Sequence, residues 1–253
     1  MLNVISVDVE EYFQVENLAQ VCPRETWDVR PSRIEYSIKR VLDLFDRLSV
    51  KATFFVLGLV AQKHPELIRE IVRRGHELAS HGFAHKLVYT QQPEDFLADT
   101  ARAKSLLEDI SGESVVGYRA PNFSITPACP WAYRILVENG YRYDSSLYPI
   151  WHPRYANLHR SIQPEMIKTD AGNLFEFPLA VRSLRFLGQE LRLPLAGGAY
   201  WRLLPSCYIN WGLRSIAASS PGWFVCYFHP WELDDEQPVF AELSFKTKLR
   251  HYG

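Results

Sequence analysis

The chain is short of cysteine, of net charge and of long apolar runs, and each shortage removes a class of protein. Its four cysteines, Cys22, Cys129, Cys207 and Cys226, are scattered with no C-x-x-C pair. That spacing is neither a zinc-finger ligand set nor a disulfide framework, and it fits a reducing compartment. Lysine and arginine total 28 against 29 aspartates and glutamates, a formal charge of -1. No basic excess points to nucleic acid or to an anionic membrane. No apolar stretch approaches the roughly 18 residues of a membrane span. Met1-Leu2-Asn3 passes directly into Val4-Ile5-Ser6-Val7 with no leader before it, so a cytoplasmic location is expected.

What is present is an alternation of short β-branched runs with amphipathic ones. A chain of 253 residues is near the upper size for one hydrophobic core, so a single domain over 1–253 is expected. Val4–Val9 and Ala52–Leu57 read as buried strands, and His76–Ala79, Val115–Tyr118 and Tyr141–Ser145 as three more. Between them, Ile34, Ile38, Val41, Leu42 and Phe45 recur at helical spacing after Ser32, a candidate N-cap. Pro65 opens a helix that Gly75 closes, Phe96–Ile110 forms another before Gly112, and Trp131–Glu138 a third before Gly140. The pattern predicts an α/β fold, a distorted (β/α) barrel of about seven parallel strands.

Regularity breaks after Tyr148. Residues 149–172 read as a long surface loop, with strands at Phe175–Pro178 and Leu191–Leu195 and a turn at Gly197-Gly198. A helix from Pro205 to Ala218 and a strand from Trp223 to Phe228 follow.

The polar residues fall at strand ends. Asp8 and Glu10 end the first strand, His81 and His85 follow the third, and Arg119 the fourth. Asp144 sits in the fifth and His229 ends the last. In a parallel barrel these ends meet on one face. If the chain is helical from about Ser80, His81 and His85 share one face, a spacing that suits two metal ligands.

The segments S-V-D-V-E-E-Y-F (6–13), S-H-G-F-A-H (80–85), Y-R-A-P-N-F (118–123), Y-D-S-S-L-Y-P (143–149) and Y-F-H-P-W-E-L (227–233) resemble the ordered motifs of the NodB-like polysaccharide deacetylases, carbohydrate esterase family 4 in the broad sense. With E-F-P-L (176–179) and G-G-A-Y-W-R-L-L-P (197–205), they resemble its exopolysaccharide- and exosortase-associated branch, with a branch-specific portion from about 149 to 253. The resemblance implies one divalent metal, zinc by preference, on His81, His85 and one carboxylate. Asp8 would be the general base, Arg119 its partner and His229 the general acid. A backbone N–H near Asn122 would serve the oxyanion, with Pro121, Tyr200 and Trp231 towards the substrate.

Two points depart from the common pattern. The metal carboxylate falls in Asp8-Val9-Glu10-Glu11: period two favours Glu10, and a bulge would favour Glu11. The acidic-tryptophan dipeptide that tunes the acid histidine in many members is missing, which leaves Asp144 as a supporting residue of open role. The implied activity is removal of N-acetyl groups from sugars of an exopolysaccharide, another glycan or a lipid-linked precursor, in association with a polysaccharide synthesis complex. A small non-polymeric amide is the alternative substrate, and a non-catalytic sugar-binding role is the third reading.

Overall fold

The computed structural model describes residues 3–152, 160–186, 188–219 and 222–252. Its first strand, β1 (Asn3–Val9), is exposed at Asn3 and fully buried from Ser6 onward: Val7 and Val9 join the apolar core with Ile34 and Ile38, while Ser6 and Asp8 meet the buried Arg119. β2 (Thr53–Val56), β3 (Glu77–Ser80), β4 (Gly117–Tyr118) and β5 (Tyr143–Asp144) follow in spatial order. The crossovers are α1 (Ile34–Leu48), the pair α2 (Gly58–Lys63) and α3 (Pro65–Arg73), then α4 (Pro93–Ser111) and α5 (Ala132–Glu138). α1 buries Ile34, Ile38, Val41, Leu42 and Phe45, the face anticipated from spacing. Each such side chain contributes roughly 1.5–3 kcal/mol.

The Ser32 expectation is corrected: the Glu11 carboxylate caps α1, accepting from the Arg33 N–H at 3.1 Å and the Ile34 N–H at 3.4 Å. Ser32 donates its hydroxyl to that same carboxylate. An acidic group there also meets the positive end of the helix dipole.

Beyond β5 the sheet continues through the antiparallel hairpin β6 (Glu165–Thr169) and β7 (Gly172–Glu176), while β10 (Phe224–Phe228) pairs with the other side of β1. The order β10-β1-β2-β3-β4-β5-β7-β6 therefore holds seven parallel strands and one antiparallel edge. An irregular segment crosses the gap between its ends: Phe177 N–H donates to Asp144 at 2.8 Å, Leu179 to Leu147 at 2.9 Å and Ala180 to Val225 at 2.9 Å. Tyr227 N–H reaches the Ala196 carbonyl at 2.7 Å, and Gly197 bridges to Tyr227 so closely that a Cβ there would lie 1.7 Å from its carbonyl oxygen.

Of the expected loop over 149–172, residues 153–159 lie outside the described set, and its last part is the β6–β7 hairpin. A second hairpin, β8 (Val181–Phe186) with β9 (Gln189–Pro194), stands apart from the main sheet. Periodicity missed β8 because Arg182, Ser183 and Arg185 interrupt any apolar run. The remaining helices are α6 (Ala199–Leu203), α7 (Ser206–Ala217) and α8 (Phe245–Tyr252). All four cysteines are free. Among the described residues, no helix is long and apolar enough to cross a membrane.

Candidate active site

The carboxyl ends of β1, β3, β4 and β10 open into one pocket, lined among others by Asp8, Glu10, His81, His85, Asn122 and His229. Asp8 is the penultimate residue of β1 and Glu10 the first beyond it, both buried. Glu11 points the other way to cap α1, so of the two glutamates only Glu10 faces the histidines.

The histidine pair comes together by a route the helical reading did not foresee. Residues 81–85 form no helix. Gly82 at φ 75° and His85 at φ 54° adopt left-handed backbone, and the resulting turn brings the two rings to 5.7 Å. Left-handed φ is unusual for a side chain other than glycine, asparagine or aspartate, and periodicity does not encode it. His81 Nδ1 lies 2.8 Å from the Arg119 carbonyl, which assigns the ring proton to Nδ1 and leaves Nε2 directed at the pocket. Burial foremost, and then the charge of His85, lower the His81 pKa to about 3, favouring the neutral imidazole that ligates a metal.

One ligand atom from each of Glu10, His81 and His85 lies within 4.8 Å of the others. Glu10 Oε2 is 2.6 Å from His85 Nε2, yet this buried oxygen makes no geometrically acceptable hydrogen bond. Close approach without hydrogen-bond direction is the arrangement of two donors aimed at a common third point. Two imidazoles and a carboxylate suit a zinc-type ion with coordination left open, so the residues fit a metal. Burial alone would raise the Glu10 carboxyl, but His85 and then His229 outweigh it and hold it below the ordinary range.

Arg119, wholly buried, donates from Nη1 to Asp8 Oδ1 at 2.7 Å and to Ser6 Oγ at 2.8 Å. Its other nitrogens reach the Ser145 carbonyl at 3.0 Å and the Ser145 hydroxyl at 2.9 Å. Asp144 does not line the pocket. It accepts from the Ser146 hydroxyl at 2.6 Å, and Ser146 in turn accepts from the Ala120 N–H at 2.8 Å, so Asp144 holds the turn that grips Arg119. Burial, and next the neighbouring Asp144, push the Glu176 carboxyl well up, so this buried pair retains a proton.

Pro121 opens a short turn in which Asn122 sits at φ 53°. The Asn122 Nδ2 is buried at the pocket wall with no hydrogen-bond partner among the described residues. An unpaired buried donor is costly unless something else accepts from it.

His229 Nε2 lies 3.3 Å from Glu10 Oε1, and its Nδ1 is 2.6 Å from Glu232 Oε1. Burial works to lower the His229 pKa, but Glu10 and then Glu232 raise it above its usual value, favouring the imidazolium. Glu232 was missed from the sequence. Its signal was the spacing of three residues after His229, which also lets it accept from the His229 backbone N–H at 2.9 Å. Arg202 forms an ion pair with Glu232. Trp231 lines the pocket and stacks between His229 and His251, with ring centroids at 4.9 Å and 4.5 Å. Tyr200 is not in the lining; it packs edge-on against Tyr148 at 6.0 Å. His152, Arg250 and His251, also unforeseen, complete the wall.

Fold and site together define an α/β barrel protein with a carboxylate–histidine cluster at the carboxyl ends of its strands. Residues 25–143 match the polysaccharide deacetylase family model. Residues 145–253 match a domain of unknown function, DUF3473. A peptidoglycan deacetylase of Helicobacter pylori is 31% identical over 116 residues, covering 45% of this chain and 38% of that protein. A chitooligosaccharide deacetylase of Sinorhizobium fredii is 49% identical over 45 residues, covering 18% of this chain and 21% of that protein. The chain thus spans less than half the length of either relative. A crystal structure from Mycobacterium smegmatis, assigned to the polysaccharide deacetylases, superposes with a TM-score of 0.63 at 24% identity, covering 91% of this chain and 77% of that one. That likeness shows the shared fold.

Proposed function

We propose that the protein is a metal-dependent N-deacetylase acting on N-acetylated sugars of an exopolysaccharide, another glycan or a lipid-linked precursor. The observation that carries this reading is the convergence of Glu10, His81 and His85 beside the Asp8–Arg119 pair and His229. A divalent ion on those three ligands, zinc by its donor set, would supply Lewis-acid polarisation of the amide and activation of water. Asp8 takes the proton of the attacking water, and Arg119 fixes which carboxylate oxygen faces it. The Asn122 Nδ2 donates to the carbonyl oxygen as it gains charge. His229, with its far nitrogen held by Glu232, gives a proton to the leaving amine as the C–N bond breaks, freeing acetate and the amino sugar.

The test is acetate release from N-acetylglucosamine oligomers, with metal content measured on the same preparations. His81→Ala should lose bound metal and reduce release by at least about 10²-fold, and chelation should do the same to the parent protein. Release that survives both treatments would sink the reading.

A further inference from the structure

The charges of the pocket are sorted by their origin in the chain. Every carboxylate in its lining, Asp8, Glu10 and Glu16, comes from β1 or the turns just after it. The C-terminal portion supplies His152, Arg202, His229, Arg250 and His251 and no lining carboxylate. Most of these charges are answered locally: Arg119 meets Asp8, His85 meets Glu10, and Glu232 lies behind Arg202.

Arg250 is different. It stands on α8, half-buried, and among the described residues it has no carboxylate partner. Its Nη2 is 3.1 Å from His152 Nε2, and its backbone carbonyl accepts from Arg202 Nη2 at 2.9 Å. A guanidinium carries donors in a planar fork that matches carboxylate and phosphate oxygens, and partial burial strengthens such a bond over its value in water.

We propose that Arg250 forms an anion subsite, reading a carboxylate or phosphate on the sugar whose N-acetyl group lies at the Glu10–His81–His85 end. The proposal deepens the deacetylase reading, since it names an acidic N-acetylated sugar as the preferred ligand. It also gives the C-terminal helix a role: α8 selects the substrate while the strand ends process it. The sorting of charge then orients the ligand, with its acidic group towards α8 and away from Glu16.

Calorimetric titration tests this without turnover. Three probes separate the sources of charge: neutral N-acetylglucosamine, N-acetylmuramic acid for the carboxylate, and N-acetylglucosamine 6-phosphate for the phosphate. The parent protein should bind at least one acidic sugar about tenfold to a hundredfold more tightly than the neutral one, the range of a charge-assisted hydrogen bond. In Arg250→Gln that ratio should fall towards one, and Arg250→Lys should retain part of it. Circular dichroism of both variants checks that they fold. An unaltered ratio in Arg250→Gln, or a parent protein that shows no preference for either acidic sugar, overturns the subsite. Because binding and acetate release are read separately, failure of the deacetylase reading leaves its own signature: binding preference without release.

Discussion

At the scale of single residues, the pocket sets one proton acceptor, Asp8, and two donors, His229 and the Asn122 amide, around the Glu10–His81–His85 cluster. Asp8, Arg119 and His229 could be placed at strand ends because a parallel sheet sends those ends to one face. Glu232 was missed, because a glutamate three residues after His229 reads as any turn acid until the ring is seen against it at 2.6 Å. Asn122 was read for its backbone, whereas the structure leaves its side-chain nitrogen buried and unpartnered. Its φ of 53° offers a clean probe, since glycine tolerates that conformation while deleting the amide. Asn122→Gly should lower kcat for acetate release by about 10²–10³-fold, the cost of one oxyanion donor, with a smaller effect on KM. A kcat within threefold of the parent would remove Asn122 from the transition state.

Among the elements, the strands of the parallel core and the long helices were legible, whereas β6, β8 and the turns were not. β1, β2 and the buried face of α1 follow from β-branched runs and three-four spacing. The 81–85 turn follows from left-handed backbone at Gly82 and His85, which no pattern of apolar residues records. Contacts far apart in sequence were equally invisible. Arg33, at the start of α1, donates from Nη2 to Asp234 Oδ1 at 2.8 Å and so ties that helix to the turn after β10. Burial disfavours an ionised Asp234, but the hydrogen bond from Arg33 more than offsets this and holds the carboxyl below its ordinary range. A depressed carboxyl contributes stability above its unfolded pKa, about 3.9, and loses it as the pH falls through the lower folded value. Asp234→Asn should therefore cost about 2 kcal/mol at pH 7. Melting curves of the variant and the parent should converge as the pH falls below about 3.9. Curves that stay equally separated down to pH 2 would show that the pair adds no pH-dependent stability.

For the whole molecule, the pocket joins parts of the chain that fold far apart in sequence. β1 leads into Glu10 and lies beside β10, which leads into His229, while β3, which leads into His81 and His85, sits two strands from β1. An ion shared by Glu10, His81 and His85 would bridge β1 and β3 across β2, and only the folded chain presents those ligands together. Any ligand of the folded state alone stabilises it in proportion to the logarithm of its excess over Kd, about 4 kcal/mol at a thousandfold excess. For a chain of this size that shift is roughly 8–16 °C in Tm, at about 2–4 °C per kcal/mol. Chelation should lower the Tm by an amount of this order, and added zinc should restore it. His81→Ala and Glu10→Gln should melt at one temperature with or without chelator. Glu11→Gln should start lower, having weakened the α1 cap, but keep the metal-dependent shift. A shift that vanishes in Glu11→Gln and persists in Glu10→Gln would exchange their roles, and a parent protein indifferent to chelator would leave the cluster without an ion.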